Sequence, residues 1–231
     1  MNSRQVRNGM STRTRVGRTA AGLLAVSVIL AGACQKKGKT TTIVDDSAIR
    51  MDEARQIAAA AIKEHKLADE ARAAFNDKEW NTHSEAAINL YQQALAKSKD
   101  MFLAWNNMGM LLMERQAYMD AAECFKSAAD LSVDDPRPFY NVGVIYQQTL
   151  HDKEALEYFL KSLARDGRYL PSLRGAAASG KRLDLTDEAA LQRVRTALLI
   201  ETDPKWRSIF ETESLRIEGS LTRAGKSTTG L

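Results

Sequence analysis

The strongest constraint on this chain is an internal repeat with a period of 34 residues, found between residues 102 and 166. Six pairs of chemically matched residues are each separated by 34 positions: Trp105 and Phe139, Asn107 and Asn141, Gly109 and Gly143, Leu112 and Tyr146, Ala121 and Ala155, and Phe125 and Phe159. A period of this size is typical of a helix–turn–helix unit, which cannot bury its apolar face alone and stacks on its neighbours. The repeat therefore predicts an all-α solenoid of helical hairpins.

The shared spacing includes two glycines inside predicted helices. Glycine in a helix interior costs about 1 kcal/mol relative to alanine. Gly109 and Gly143 are tolerable if the paired helix, through Ala121 or Ala155, approaches closely at these points. We therefore expect large side chains, among them Phe125 and Phe159, to fill the space around two close helix contacts.

Before the clear repeats, the spacing of apolar residues predicts a helix from Ser47 to Phe75, either unbroken or bent near His65. Thr82 with Glu85 three residues later is typical of a capping box, which predicts the next helix over Glu85–Lys97. On this interpretation Trp80 has the role that Tyr118 has later, and residues 81–84 are extra turn residues.

These patterns divide the chain as follows. A helical domain is predicted over residues 47–221, with a C-terminal capping helix and then a disordered tail over 222–231. In the fourth repeat Arg193 stands where earlier repeats have an aromatic residue. The predicted repeats lie at about 64–98, 102–135, 136–169 and, in degenerate form, 170–203, followed by the cap at 204–219.

The first 33 residues are predicted to be a signal peptide. The leader contains five basic residues and no acid, and an uncharged apolar run follows from Ala20 to Ala33. This run is shorter than the roughly 20 residues that span a bilayer and matches a secretory signal. An N-terminal anchor helix that stays attached is the alternative, and either Met1 or Met10 is the start. The basic residues are Arg4, Arg7, Arg13, Arg15 and Arg18.

The apolar run ends in Leu30-Ala31-Gly32-Ala33-Cys34, which resembles the lipobox of bacterial lipoproteins. The resemblance implies that Cys34 carries lipid, including palmitate, and that residues 34–46 are a flexible tether. It further implies, with Gln35 after the cysteine, an outer-membrane anchor facing the periplasm. Ordinary cleavage at the same bond is the alternative, and the product would then be a soluble periplasmic or secreted protein.

Charge and cysteine content exclude some partner classes. The formal net charge of the chain is +4, but without the five leader arginines the remaining 28 basic residues face 29 acidic ones. The sequence therefore predicts no nucleic-acid partner. Cys124 is expected to be an inert core thiol. A Cys34–Cys124 disulfide is the alternative if Cys34 carries no lipid.

The repeats resemble tetratricopeptide repeats. The resemblance depends on Trp105-Asn106-Asn107-Met108-Gly109 and Phe139-Tyr140-Asn141-Val142-Gly143, with the matched residues of the second helices. In that family the first helix of each unit lines a concave groove that binds peptides or protein surfaces. Carried over position by position, the resemblance implies a partner-binding groove formed by Asn106, Asn107, Met110, Met113, Arg137, Tyr140, Asn141, Val144, Gln148 and Arg174, with Leu103, Lys181 and Arg182 beside them.

Each group of groove residues has a second interpretation. Asn107 and Asn141 are predicted to form a column of amides that binds the backbone of an extended ligand, but they would equally satisfy neighbouring helix ends. Met110 and Met113 form an adaptable apolar floor or pack between helices. The basic residues near Arg174 bind an acidic segment or form a solvated face. The lysines of the family's chaperone-peptide clamp are not matched, so chaperone binding is not inferred.

The sequence contains no recognisable catalytic or metal-binding motif. His65, His83 and His151 are isolated, and no nucleophile elbow, phosphate-binding loop or zinc spacing is present. Asp134 and Asp135 are interpreted as helix-start acids. We therefore expect no enzyme, cofactor, metal or small-molecule substrate. The expected function is an envelope-anchored protein–protein scaffold; the alternatives are a pilotin-like factor for pilus or secretion assembly and an adaptor that recruits cell-wall enzymes.

Overall fold

The computed structural model describes residues 46–228, and this part of the chain consists of helices and short connections without a strand. None of its helices is both long and apolar enough to cross a membrane. The predicted signal peptide, Cys34 and all of the predicted tether except Asp46 lie outside the described residues. The helices are α1 (Asp46–Ala73), α2 (Asp77–Lys97), α3 (Phe102–Glu114), α4 (Tyr118–Leu131), α5 (Arg137–Gln148), α6 (Asp152–Leu163), α7 (Leu170–Arg182), α8 (Glu188–Ile200) and α9 (Pro204–Thr228).

Within residues 46–228 the helices pair as four antiparallel hairpins, α1/α2, α3/α4, α5/α6 and α7/α8, and α9 covers the last of them. Each hairpin packs on the next, which buries a continuous core of small and aromatic residues. The predicted fold class, an all-α tetratricopeptide-like solenoid, is confirmed.

All four hairpins turn in the same way. The first helix of each is followed by a residue with positive φ, namely Phe75, Gln116, Leu150 or Asp184, with φ between 52° and 61°. The backbone N–H groups of this residue and the next one close the helix end, as in Leu150 to the Gln147 carbonyl and His151 to the Tyr146 carbonyl. Gln116, Leu150 and Asp184 follow one another at the repeat period, whereas Phe75 precedes Gln116 by seven positions more than that period.

The extra residues of the first hairpin lie in its helices and not in its turn. Gly109 precedes the turn residue Gln116 by 7 positions, while the equivalent Ala61 precedes Phe75 by 14. Phe125 follows Gln116 by 9 positions, and its equivalent, Tyr91, follows Phe75 by 16. Because seven residues are almost two helical turns, α1 and α2 are each lengthened without changing which face is buried.

This lengthening makes the predicted start of the second helix wrong. Asn76 caps α2 and accepts a hydrogen bond from the Glu79 N–H, so the helix begins before Thr82. Thr82 lies inside the helix and donates its hydroxyl to the Lys78 carbonyl. Residues 81–84, predicted to lie in the turn, are helical, and Trp80 lies one turn inside α2 rather than in the role of Tyr118. Thr82 and Glu85 have the composition of a cap, and nothing in the local sequence shows that two helical turns have been added before them.

The prediction for Arg193 is also wrong, because the fourth hairpin is out of register by one residue. Val194 follows the turn residue Asp184 by 10 positions, where Phe159 follows Leu150 by 9, and Val194 fills the aromatic position at 2% exposure. Arg193 is beside it and half-buried. Asp187 begins α8 by accepting the Ala190 N–H.

The capping helix is longer than predicted. α9 continues to Thr228, past the predicted end at residue 219 and into the predicted tail. Phe210 and Ile217 are buried against the α8 core, and Leu221 packs on the same cluster. The steps of seven and four residues between them continue one apolar stripe.

The helix-interior glycines make room for aromatic rings rather than for the small residues of the partner helix. A Cβ atom on Gly109 would lie 2.8 Å from the Phe125 ring. Phe159 is held on two sides, since Cβ atoms on Gly143 and Gly175 would lie 2.7 Å and 2.5 Å from its ring. Such distances exclude any side chain there unless the ring moves.

Candidate functional site

The first helices of the four hairpins, α1, α3, α5 and α7, form one surface, called the groove below. Four positions recur along it, in register with the repeat period after correction for the longer first hairpin. The resulting rows are Arg55, Leu103, Arg137 and Pro171; Ala58, Asn106, Tyr140 and Arg174; Ala59, Asn107, Asn141 and Gly175; and Ile62, Met110, Val144 and Ala178.

The N-terminal part of the groove contains a cavity of about 350 Å³ between α1 and α3, called the N-terminal cavity. Its wall is mainly apolar, and two of its side chains are well exposed, Ile62 at 48% and Leu103 at 56%. Tyr91 and Asn107 supply polar atoms. The remaining lining residues are Met51, Arg55, Ala58, Ala59, Asp100, Met101, Phe102 and Ala104. A mostly apolar recess with a few polar groups is the usual composition of a binding site.

Two opposite charges border this cavity, and neither is neutralised within the described residues. Arg55 and Asp100 are both exposed and form no ion pair with another residue of 46–228. The arginines of the later groove helices, Arg137, Arg174 and Arg182, are paired with carboxylates, whereas the Arg55 guanidinium is not. It is available to a ligand carboxylate.

A chain of polar side chains crosses the groove between the hairpins. The Asn107 amide donates to the Tyr91 hydroxyl at 3.4 Å, and Tyr91 also contacts His65 Nδ1 at 3.4 Å. Asn106 donates to Asn107, and Asn141 donates to Asn106, both at 3.4 Å. Burial raises the pKa of Tyr91, which keeps its hydroxyl neutral. The predicted column of Asn107 and Asn141 is therefore joined through Asn106, and the asparagines do not serve to cap helix ends.

Asn106 itself lies under the surface, at 5% exposure, so it acts on a ligand only through its two neighbours. Asn107 and Asn141 are partly exposed. An asparagine amide has two donors and two acceptor positions, more than either residue uses in these contacts. Both retain capacity for a ligand.

The two methionines predicted for the groove have different positions. Met110 is 37% exposed on the groove, with its sulfur 3.7 Å from the Asn106 amide nitrogen. Met113 packs against the buried cluster that contains Phe125, Val142 and Ile145. The packing interpretation therefore describes Met113, while Met110 is placed to contact a ligand.

A second cavity of about 280 Å³, called the C-terminal cavity, lies between α5 and α7. It uses the same rows as the first and has an aromatic wall from Tyr140 and Trp206. The pKa of Tyr140 is raised above its ordinary value, and burial is the main cause. The other lining residues are Val144, Gln147, Phe159, Pro171, Arg174, Gly175 and Ala178. Gln147 borders the cavity, whereas the predicted Gln148 is exposed outside it.

Arg174 is neither a free cation nor a solvated side chain. Its guanidinium donates to both carboxylate oxygens of Glu201, at 2.8 and 2.7 Å, and lies 5.0 Å from the Trp206 ring centroid. Glu201 is 3% exposed and also accepts the backbone N–H groups of Thr202 and Asp203. These bonds, led by Arg174, lower the pKa of Glu201 to about 2. The pair joins α7 to the start of α9 and closes one end of the C-terminal cavity.

Two of the other three predicted basic residues, Arg137 and Arg182, are also engaged in ion pairs. Arg137 donates to Asp135 at 2.6 Å and lies 5.2 Å from the Phe102 ring centroid. The bonds from Arg137 lower the pKa of Asp135. Arg182 donates to Asp152 at 2.6 Å, while Lys181 is exposed. Neither Arg182 nor Lys181 lines either cavity.

The cysteine and histidine side chains of the described residues do not combine into a metal site. No group of three or more His, Cys, Asp and Glu side chains is close enough to hold a metal within residues 46–228. Burial raises the pKa of the Cys124 thiol to about 12, as expected for an unreactive core thiol. His83 pairs with Glu64 at 2.7 Å on the surface between α1 and α2.

The sequence prediction missed the α1 side of the groove and the contribution of α9. Arg55 and Ile62 precede Leu103 and Met110 by more than the repeat period, so a search at that period does not find them. A search that allowed whole helical turns to be added on both sides of a hairpin turn would have found them. Trp206 follows Asp203-Pro204, a recognisable helix start, but its side-chain contact with Arg174 depends on long-range packing.

Comparison with known proteins finds partial sequence similarity and assigns no family. No family model matches the chain. It is 29% identical over 93 residues to tetratricopeptide repeat protein 37 of Xenopus laevis, a match that covers 40% of this chain and 6% of that protein. It is 25% identical over 120 residues to the BBSome complex member BBS4 of Xenopus tropicalis, covering 52% and 23%. The chain thus spans less than a quarter of the curated relatives it matches.

Two solved structures also align with the chain. The MamA protein aligns with a TM-score of 0.49 and 13% identity, covering 80% of this chain and 96% of that one. The first tetratricopeptide domain of Spaghetti (RPAP3), bound to an HSP90 peptide, aligns with a TM-score of 0.44 and 17% identity, covering 52% and 95%. With the sequence similarity and the stacked hairpins at the repeat period, the fold is of the tetratricopeptide type.

Proposed function

We propose that the groove binds a segment of another protein and that the chain acts as a non-catalytic interaction scaffold. The observation that carries this proposal is the repetition of the lining: both cavities are built from the same four rows on successive helices. The cavities lie on one face of one packed unit. A surface of this kind is preorganised, which reduces the entropic cost of binding.

The shape of the groove favours a long ligand over a small molecule. α3, α5 and α7 pack side by side, α1 lies across the N-terminal cavity from α3, and packed helices are about 8–10 Å apart, so the four first helices present a face of at least about 30 Å. Asn107 lies in the wall of the N-terminal cavity, and Asn141 follows it on the next first helix, toward the C-terminal cavity. A polypeptide supplies both apolar side chains for the cavities and backbone groups for the amides.

Site-specific photo-crosslinking in cells tests this proposal. A photoreactive residue is placed at Met110 in the groove and, as a matched control, at Met119, which is 80% exposed on α4. We expect a discrete protein adduct from position 110 and none of the same mass from position 119. Equal adducts from both positions, or none from position 110, would contradict the proposal.

We also propose that the scaffold is anchored in a bacterial envelope through lipid on Cys34. The support is the sequence alone: an arginine-rich leader, an apolar run and small residues before the cysteine. Labelled palmitate should be incorporated into the wild-type chain and into Cys124→Ala, but not into Cys34→Ala. Incorporation that persists in Cys34→Ala would show that the anchor is elsewhere.

Two more specific roles follow from this proposal and differ in the protein that is bound. One is a pilotin-like factor for a pilus or secretion complex at the outer membrane, and the other is an adaptor that recruits cell-wall enzymes. The identity of the adduct from position 110 separates them: a pilus or secretion subunit supports the first, and a wall hydrolase supports the second.

A further inference from the structure

The two cavities differ in whether their arginine is paired with an acidic residue, and this bears on what each cavity can bind. In the C-terminal cavity the guanidinium of Arg174 is bound on two atoms by Glu201. At the N-terminal cavity Arg55 has no acidic partner among residues 46–228. Charge selection by the groove therefore depends on Arg55 and on the opposite charge of Asp100 at the same border.

The wall beside Arg55 is suited to one large apolar side chain. Ile62 and Leu103 are about half exposed in the absence of any ligand, and Ala58 and Ala59 leave space between them. Covering such surface is favourable by about 25 cal/mol per Å² of apolar area. An apolar side chain of a ligand that fills the recess therefore lies next to the unpaired guanidinium of Arg55.

The polar atoms of the groove favour an extended ligand over a helical one. Asn107 and Asn141 are partly exposed and use only part of their hydrogen-bonding capacity. An extended chain exposes backbone N–H and C=O groups that can meet these amides, whereas a helix satisfies its own. Asn107 lines the N-terminal cavity and Asn141 lies on the next groove helix, so an extended chain that reaches both cavities passes these amides.

The distance between the cavities sets the spacing of the anchors. The N-terminal cavity lies between the first and second groove helices and the C-terminal cavity between the third and fourth. Two helix separations of 8–10 Å give about 20 Å. An extended chain advances about 3.3 Å per residue, so two anchors would be about six residues apart; in a helix, at 1.5 Å per residue, the spacing would be about thirteen.

We propose that the groove recognises an extended segment that inserts one large apolar side chain into the N-terminal cavity, presents an adjacent carboxylate to Arg55 and places a second anchor about six residues away in the C-terminal cavity. This inference depends on the proposed binding function of the groove and adds the chemistry of the ligand. It assigns Arg55, Ile62 and Leu103 as residues that determine specificity.

Selection from a phage library of random 12-residue peptides tests the inference on the purified full-length chain. The wild type should enrich peptides with a large apolar residue beside Asp or Glu and a second large residue about six positions away. Arg55→Glu should reverse the selected charge to Lys or Arg and weaken a wild-type-selected acidic peptide about 5-fold, the effect of an exposed ion pair. Leu103→Asp should weaken the same peptide by more than about 10-fold.

The control variant is Met119→Asp on α4, which should select the same peptides as the wild type. An acidic preference that survives Arg55→Glu overturns the role of Arg55. Selected peptides with anchors at helical spacing overturn the extended ligand. If no peptide is enriched while position 110 still gives its adduct in cells, the inference fails and the proposed function stands; if both fail, the groove is not a binding site.

Discussion

The two cavities of the groove are built from equivalent positions and differ in the type of side chain that lines them and in whether their charges are paired. The N-terminal cavity has exposed aliphatic side chains and unpaired border charges. The C-terminal cavity has aromatic walls, a ring fixed between two glycines and an arginine held by a buried glutamate. Repetition of the helix positions thus preserves the shape of the groove, while substitutions within the rows make one end adaptable and the other rigid.

The rigid end should be far less tolerant of added volume than the adaptable end, and this is the largest expected effect. Gly175 and Ala59 occupy the same row, but a Cβ on Gly175 would meet the Phe159 ring at 2.5 Å while Ala59 is exposed. Gly175→Val should lower the free energy of unfolding by about 2–3 kcal/mol through overpacking. Ala59→Val should lower it by less than about 1 kcal/mol, the helix-propensity difference. Urea denaturation measures both, and equal costs would remove the contrast between the two ends.

The ion pair at the rigid end should contribute to stability in a defined pH range. Glu201 has a pKa of about 2, below its ordinary value of 4.5, because Arg174 and two backbone N–H groups bind the carboxylate. Its stabilisation is therefore fully present above pH 4.5 and is lost as the pH falls toward 2. Glu201→Gln should cost about 1.5–3 kcal/mol at pH 7, the range for hydrogen bonds to charged groups.

The difference between wild type and Glu201→Gln should shrink progressively below pH 4.5, as thermal unfolding over a pH series would show. Glu211→Gln is a matched control, since Glu211 lies on the exposed face of α9. If the stability difference between wild type and Glu201→Gln stayed constant down to pH 3, the charge of the carboxylate would not be what joins α7 to α9.

The adaptable end should depend only modestly on its polar chain. Tyr91→Phe removes the hydroxyl that contacts His65 and the Asn107 amide, and keeps the buried ring. The expected loss is about 1 kcal/mol, the net value of a typical hydrogen bond. Tyr146→Phe serves as the control, since the Tyr146 ring stacks on Tyr158. A loss above 3 kcal/mol for Tyr91→Phe would show that the polar chain, rather than packing, holds this end together.

The smallest predicted effect concerns the turns, which should be alike at both ends. Phe75 in the long hairpin and Leu150 in a regular hairpin both have positive φ, at 55° and 60°. Replacing either with glycine relieves backbone strain and should raise the free energy of unfolding by about 0.5–1 kcal/mol. Denaturant titration of the two variants should give similar gains. A gain at one position and a loss at the other would show that the longer hairpin differs in its turn as well.

The sequence predicts the parts of this molecule that repeat and misses those that depend on length or distance. Phe125 and Phe159, one repeat period apart, are fully buried core residues. The groove positions of α3 and α5 follow from the same register. Arg55 and Ile62 were missed because two helical turns are added on each side of Phe75, which preserves the face but shifts the numbering.

The ion pair of Arg174 shows a different limit of prediction from the sequence. Its position in the groove follows from the repeat, but its partner Glu201 is 27 residues away, in the connection between α8 and α9. Periodicity carries no information about such a contact, since the connection does not repeat. The extension of α9 was missed for a related reason: Leu221 belongs to the apolar stripe of Phe210 and Ile217, but it lies among small polar residues typical of a tail.

The most direct test of the account is to ask whether one partner segment contacts both ends of the groove. Ile62 and Ala178 occupy the same row in the two cavities, and a photoreactive residue is placed at each position in turn. Mass spectrometry of the adducts then locates the cross-linked residues of the partner. The same protein should be cross-linked at both positions, with the two cross-linked residues about six apart in its sequence. Different proteins at the two positions, or sites in distant parts of one partner, would contradict it.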